Sequence, residues 1–405
     1  MRSLFEAHPA FKERRLKHRR FKHRDIVALL DGLPFNRELI GTSYEGRSIT
    51  KVKLGKGSRR VLLWSQMHGD EATATMALFD ILRFFHDESS EFASIRDTIL
   101  EKLEIHLVPM LNPDGAERFQ RRTAQEIDMN RDALALQCPE SRLLKQLVME
   151  LRPEFSFNLH DQSNYYAVGD SGLQTTVAFL ATAYNEERAW NDNRTKSAQV
   201  ISAMNSLLQK RIPGRVAKFS DEFEPRAFGD NIQRWGSSLI LVESGAFTDD
   251  VEKQFVRALN FEAILEGLYS IASDSYTSYS IKDYEDIPEN NRVLLDLKIK
   301  NLAVGEGEKQ YTVEVGTSSI EKNGAGAKKF VRESVIEEIG DLSVFHGIEE
   351  WDANGGIFRS VLEYPEWMKL YKIRRPMKHL QLGESATFVV DHGETQTLIL
   401  NGKIV

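Results

Sequence analysis

The run Val61-Leu62-Leu63-Trp64 constrains this chain more than any other feature. It lies between a Gly/Lys turn at 55–58 and polar Gln66, and so reads as a strand buried on both faces. Such a strand requires helical cover, and the next segment supplies it. Met76, Leu78, Phe79, Leu82 and Phe85 recur at helical spacing, so the chain passes from strand to loop to helix across His68–Glu71. A short helix at Asp25–Asp31, closed by Gly32, and strands at Glu38–Thr42 and Ser48–Leu54 precede this unit. Strands are expected after it at Leu103–Pro109, Phe155–Leu159 and Ser238–Val242. Helices are expected at about 140–151, 175–187, 196–211 and 249–272. This alternation predicts an α/β fold, a sheet with helices on both faces.

The chain is 405 residues long, more than one compact domain of ~150 residues needs. After Ser273 its texture changes. A polar Tyr/Ser/Asn-rich stretch leads into VLLDLKIKNL, YTVEVG, ATFVVDHG and TLILNGKIV, which read as strands. The expected division is a basic N-terminal arm (1–24), an α/β domain (25–273), a linker (274–284) and a small sandwich-like all-β domain (285–405). Residues 11–24 carry eight Lys/Arg against one Glu, within a net charge of 53 − 60 = −7. Phe11, Leu16 and Phe21 give this segment a means of packing. An acidic body argues against a nucleic-acid partner. No apolar leader or membrane-length stretch is visible, so a cytoplasmic protein without a membrane partner is expected. The single cysteine, Cys138, rules out thiolate clusters and leaves His, Asp and Glu as metal ligands.

Those residues occur at strand ends. His68 and Glu71 lie three apart where the buried strand meets its helix, His160 follows the strand 155–159, and Glu243 closes the strand 238–242. Open α/β sheets place their sites at the carboxyl ends of strands. Two histidines and one carboxylate with an open fourth position form a catalytic zinc set, and Glu243 is placed to act as general base and then general acid.

Beside these residues stand Ser43–Arg47 (SYEGR), Leu111–Gly115 (LNPDG) and Asp128–Arg131 (DMNR). Together, in this order over about residues 40–272, the motifs resemble the zinc metallocarboxypeptidases (M14, carboxypeptidase A-like), in a compact bacterial-type form. The resemblance implies a mixed twisted sheet and one Zn²⁺ per chain, held by His68, Glu71 and His160. It also implies Glu243 as the catalytic glutamate, Asp128 as hydrogen-bond partner of a zinc histidine, Arg121 as stabiliser of the oxyanion, and Asn130 with Arg131 as the grip on a substrate's terminal carboxylate.

The expected activity is removal of a C-terminal residue from a peptide or peptide-like substrate with a free C-terminal carboxylate. Two other readings remain open: an amidase or endopeptidase of the same fold acting on cell-wall peptides or N-acyl amino acids, and a catalytically silent zinc- or ligand-binding protein. The stretch DEFEPRAFGDNIQRWG before Glu243 contains Phe228 but no tyrosine to cap a substrate, and its Arg226 and Asp230 are candidates for shaping a specificity pocket.

Overall fold

The computed structural model describes residues 3–89, 91–374 and 376–405. The chain forms two units, one comprising residues up to Asn164 with Leu173–Asn290, the other Tyr165–Gly172 with Asn291–Val405. The excursion at 165–172, which includes the short strand β6 (Ala167–Val168), has no sequence signal that sets it apart.

In the first unit the strands are β1 (Asn36–Thr42), β2 (Ser48–Leu54), β3 (Arg59–Ser65), β4 (Leu103–Val108), β5 (Phe155–Asp161), β7 (Val177–Leu180), β8 (Val216–Lys218) and β9 (Ser238–Ser244). They form one mixed sheet in the order β1-β2-β4-β3-β5-β9-β7-β8. Its middle is parallel, β4 to β3 to β5 to β9, and antiparallel pairings join β2 and β7 to this middle. Val61, Leu62, Leu63 and Trp64 are all fully buried. Successive side chains of a strand point to opposite faces, so both faces of β3 are covered. Leu62 and Trp64 pack with Leu144, Leu147 and Val148 of the helix Pro139–Leu151 and with Phe228 and Ile232 of the helix Phe228–Arg234.

The expected helix at 175–187 is instead strand β7 followed by a loop. Thr175, Thr176 and Val177 are β-branched and stiff in χ1, and Val177–Phe179 are buried between β8 and β9. A short apolar run of this kind carries no periodicity that separates strand from helix. The helix expected at 249–272 begins later, at Gln254, after Lys253 takes a left-handed conformation.

The basic N-terminal segment is packed into the first unit. Phe11, Leu16 and Phe21 are buried, and one ion pair anchors the segment. Asp80, in the helix Thr73–His86, meets Arg257, in the helix Gln254–Ala272, at 2.5 and 2.6 Å, and both side chains are fully buried. Asp80 also accepts from the Glu13 backbone N–H at 2.7 Å and contacts His8 Nε2 at 2.7 Å, while Arg257 donates to the carbonyls of Leu16 and Glu13. The Arg20 guanidinium lies 4.0 Å above the Phe119 ring, a cation–π contact. Several of the basic side chains thus serve packing within the unit.

The second unit is β-rich. Strands Leu294–Val304, Tyr311–Asn323, Phe330–Gly340, His346–Asp352, Ile357–Arg359, Phe388–Asp391, Gln396–Leu400 and Lys403–Ile404 form one branched sheet. Leu297, Ile299, Val315, Ile336, Phe388, Val390 and Ile399 form its core. Strand Phe330–Gly340 is absent from the sequence reading because its buried Ser334 and Ile336 stand among charged residues.

No described helix is long and apolar enough to cross a membrane. Removing one partner of a buried ion pair strands the other charge, so Asp80→Ala is expected to cost about 3–5 kcal/mol. Urea denaturation measures the loss, and limited proteolysis is expected to cut first within residues 3–24. A loss under about 1 kcal/mol would remove the pair from its anchoring role.

Candidate metal centre

The site begins where β3 ends. Gln66 takes a left-handed φ of 47°, its Nε2 donates to the Gly69 carbonyl at 2.9 Å, and its Oε1 accepts from Thr75 Oγ1 at 3.0 Å. Asn112 continues the support. Its Nδ2 donates to the Met67 carbonyl and its Oδ1 accepts from Gly115 N–H at the start of the helix Pro113–Arg118. Gly69 passes so close that a Cβ there would lie 2.1 Å from the Gly115 backbone. Asp114 is fully buried and ties this loop to SYEGR through Ser43 Oγ (2.6 Å), Glu45 N–H (2.9 Å) and Arg47 Nη1 (2.7 Å). These two motifs build the frame that aims His68.

His68, Glu71 and His160 come together, buried, with one potential ligand atom from each within 4.8 Å of the others. Glu71 spans the pair, with Oε1 2.7 Å from His68 Nδ1 and Oε2 2.6 Å from His160 Nδ1. The other nitrogen of His68, Nε2, donates to Asp128 Oδ1 at 3.0 Å, which fixes the ring with Nδ1 toward the cluster. His160 Nε2 is buried without a hydrogen-bond partner among the described residues, so its Nδ1 is the atom engaged. Two imidazole nitrogens and a carboxylate converging in this way suit a zinc ion, and the only thiol is elsewhere, buried at Cys138 beside Asp132 and Ser141.

Arg121 lies over the cluster with its side chain 44% exposed. Nη1 donates to Glu71 Oε1 at 3.1 Å and lies 3.0 Å from His68 Nδ1, while Nε donates to Asp128 Oδ2 at 3.0 Å. Arg122, its neighbour in sequence, is exposed and donates to the Glu126 carbonyl, away from these groups. Glu243 stands beside His160 in the parallel register of β5 and β9, and its Oε2 is buried with no hydrogen-bond partner among the described residues. Asn130 and Arg131 follow Asp128 in a single 3₁₀ turn begun by the Asp128 carboxylate, which accepts from Asn130 N–H at 2.9 Å.

The electrostatics follow from burial and these contacts. Burial opposes charge on His68, but the Glu71 carboxylate and the Asp128 hydrogen bond outweigh it and lift the ring to about 9. Burial alone would raise Glu71, yet the two imidazoles hold it well below the usual carboxylate range. Asp128 is likewise held low against its burial, by His68 and then Arg121. For His160 burial prevails and lowers the ring. Burial raises Glu243 well above the ordinary value, and the charge on Glu71 adds to the effect.

Residues 35–165 match the profile of the zinc carboxypeptidase family, M14. Within the first unit, the segment 35–165 is thus similar to the zinc carboxypeptidases. The match takes in His68, Glu71, Arg121, Asp128, Asn130, Arg131 and His160 and stops short of Glu243. A protein named probable carboxypeptidase 2, from Trichophyton verrucosum (strain HKI 0517), is 30% identical over 195 residues, which are 47% of this chain and 33% of that protein. A carboxypeptidase of Arabidopsis thaliana is 26% identical over 145 residues, 30% of this chain and 29% of that one. The chain thus spans about a third of the length of the curated relatives it matches. Among solved structures, a metallo-carboxypeptidase from Burkholderia cenocepacia shares the fold with a TM-score of 0.50 at 15% identity, covering 63% of this chain and 69% of that one.

A proton on His68 and a metal ion compete for the same group of atoms. Below about pH 9 the ring must release its proton for an ion to bind. Apparent zinc affinity is therefore expected to fall about tenfold for each pH unit below that value, as one displaced proton requires. Competition against a chromophoric chelator over a pH series measures the slope, and a flat profile would refute proton displacement.

Proposed function

We propose that the first unit is a metallopeptidase that releases the C-terminal residue of a peptide or peptide-like substrate. The observation that carries this reading is the convergence of the His68, Glu71 and His160 ligand atoms, with Glu243 paired to His160 on the adjoining strand. His68, Glu71 and His160 would hold one zinc ion per chain. When bound, zinc supplies a Lewis acid that polarises a carbonyl and makes water a stronger acid.

The remaining work falls to the chain's own residues. Glu243 accepts a proton from the attacking water and returns it to the leaving amine. Its raised affinity for protons suits the second of these transfers, and the absence of a hydrogen-bond partner at Oε2 among the described residues leaves that oxygen available for both. Arg121, joined to Glu71 and Asp128, keeps its positive charge beside the atoms where an oxyanion develops. Asp128 holds His68 in one tautomer. Asn130 and Arg131 bind the terminal carboxylate, for which the planar guanidinium is well shaped.

Glu243→Gln preserves size but cannot cycle a proton. It is expected to keep zinc at one ion per chain, by metal analysis, while turnover falls about 10²–10⁴-fold. Wild-type-like turnover would exclude Glu243 as the proton carrier. The exopeptidase assignment has its own test, in N-acetylated peptides offered as free acids and as C-terminal amides. Mass spectrometry is expected to show single-residue release from the acids alone. Internal cuts, or equal turnover of the amides, would point to an endopeptidase or amidase.

A further inference from the structure

The proposed carboxylate grip, Asn130 and Arg131, is held from outside by one short segment, Glu224–Asp230, which no motif marks. Phe228 N–H donates to Asn130 Oδ1 at 2.9 Å. This settles the orientation of the amide, because only its oxygen can accept, and leaves the Nδ2 hydrogens as what Asn130 can offer a ligand. Four residues earlier, Glu224 Oε2 lies 3.1 Å from Arg131 Nε. Arg131 Nη1 donates to the Asn130 carbonyl at 2.7 Å. Glu224 thus sets a negative charge against the Nε side of the guanidinium while Nη1 is tied to the backbone, and the Nη2 hydrogens have no hydrogen-bond partner among the described residues and can meet a carboxylate.

Glu224 is itself fixed on several sides. Arg226 donates to its Oε1 from Nε at 2.9 Å and from the backbone at 3.1 Å, and to its Oε2 from Nη2 at 2.9 Å. The Glu224 N–H donates to buried Asp230 at 3.1 Å, and its carbonyl accepts from Ala227 N–H at 2.9 Å. An exposed ion pair ordinarily contributes little because two flexible side chains must be ordered to form it. Here the loop has already ordered one partner.

We infer that Glu224, clamped by Arg226, is a positioning residue for substrate recognition, holding the Arg131 guanidinium so that its Nη2 meets the terminal carboxylate. The inference rests on the exopeptidase reading of the site and adds a residue outside its motifs. Arg226, expected from the sequence as a candidate for the specificity pocket, acts here through Glu224. Asp230 supports the same loop from below.

Steady-state kinetics on N-acetylated free-acid peptides test the inference with Glu224→Ala, Glu224→Gln, Arg131→Ala and the double variant Glu224→Ala/Arg131→Ala. Glu224→Ala is expected to raise KM about fivefold, the upper range for one partly exposed ion pair, with kcat changed less than about twofold. Glu224→Gln, which retains an acceptor, is expected to recover part of the loss. The double variant should be no worse than Arg131→Ala, because both changes act on one contact. If Arg131→Ala raises KM and Glu224→Ala does not, the positioning role is wrong while the carboxylate grip stands. If Arg131→Ala leaves KM unchanged, the grip itself is wrong. A lower KM in Glu224→Ala would make Glu224 a competitor of substrate and overturn the inference. A second measurement does not depend on turnover. The side-chain order of Arg131, followed by NMR relaxation at Nε, is expected to fall in Glu224→Ala, and unchanged order would also overturn the positioning role.

Discussion

The parallel pairing of β3, β5 and β9 is the constraint on which the site depends. Ser65 lies beside Leu159, and His160 beside Glu243, so three strands end at one level of the sheet. Residues nearly a hundred positions apart thereby become neighbours without relying on long side chains. Backbone hydrogen bonds fix this register. A slip of one residue would send every side chain of a strand to the opposite face and would bury the wrong set on both sides. Both faces of β3 and β5 are buried, polar Ser156 and Asn158 of β5 included, so neither face can be exposed, and the ligand positions follow from where the buried runs stop.

Around that edge, the polar motifs divide into those that frame the site and those that line it. Asn112 and Asp114 hold the chain just before His68 and tie it to Ser43, Glu45 and Arg47. Asp128 does two things at once, orienting the His68 ring and opening the turn that carries Asn130 and Arg131. The Glu71 and Asp128 carboxylates set negative charge against His68 and outweigh both its burial and the nearby Arg121 cation, so a proton on His68 is favoured although the ring is buried. Burial would ordinarily expel charge from such a place, and mutual pairing retains it.

The same reasoning applies away from the site. Asp80 and Arg257 are both fully enclosed, and each uses its remaining capacity on backbone groups of the N-terminal segment. A run rich in lysine and arginine is thereby drawn into the domain through its apolar residues and carbonyls. Its charge count alone suggests a solvated arm. The difference arises because composition records formal charge and not which side chains lie flat against aromatic rings or donate to backbone oxygens.

The sequence by itself determined the alternation of strands and helices in the first unit, the ligand types, and the strand-end positions of His68, His160 and Glu243. These are local facts: apolar period, residue chemistry, and the polar residue at which an apolar run ends. It left β7 looking like a helix and the strands Phe330–Gly340, His346–Asp352 and Ile357–Arg359 of the second unit unseen, since short or charge-flanked runs carry too little periodicity. It also gave no sign that residues 165–172 join the second unit. Only the tertiary structure decided which nitrogen of His68 faces Glu71, that Phe228 donates to Asn130 and Glu224 lies against Arg131, and that Asp80 meets the Glu13 backbone. Each of these is a contact between segments far apart in the chain or a choice between two atoms of one side chain. Such choices are made by packing geometry, and no pattern in the local sequence encodes them.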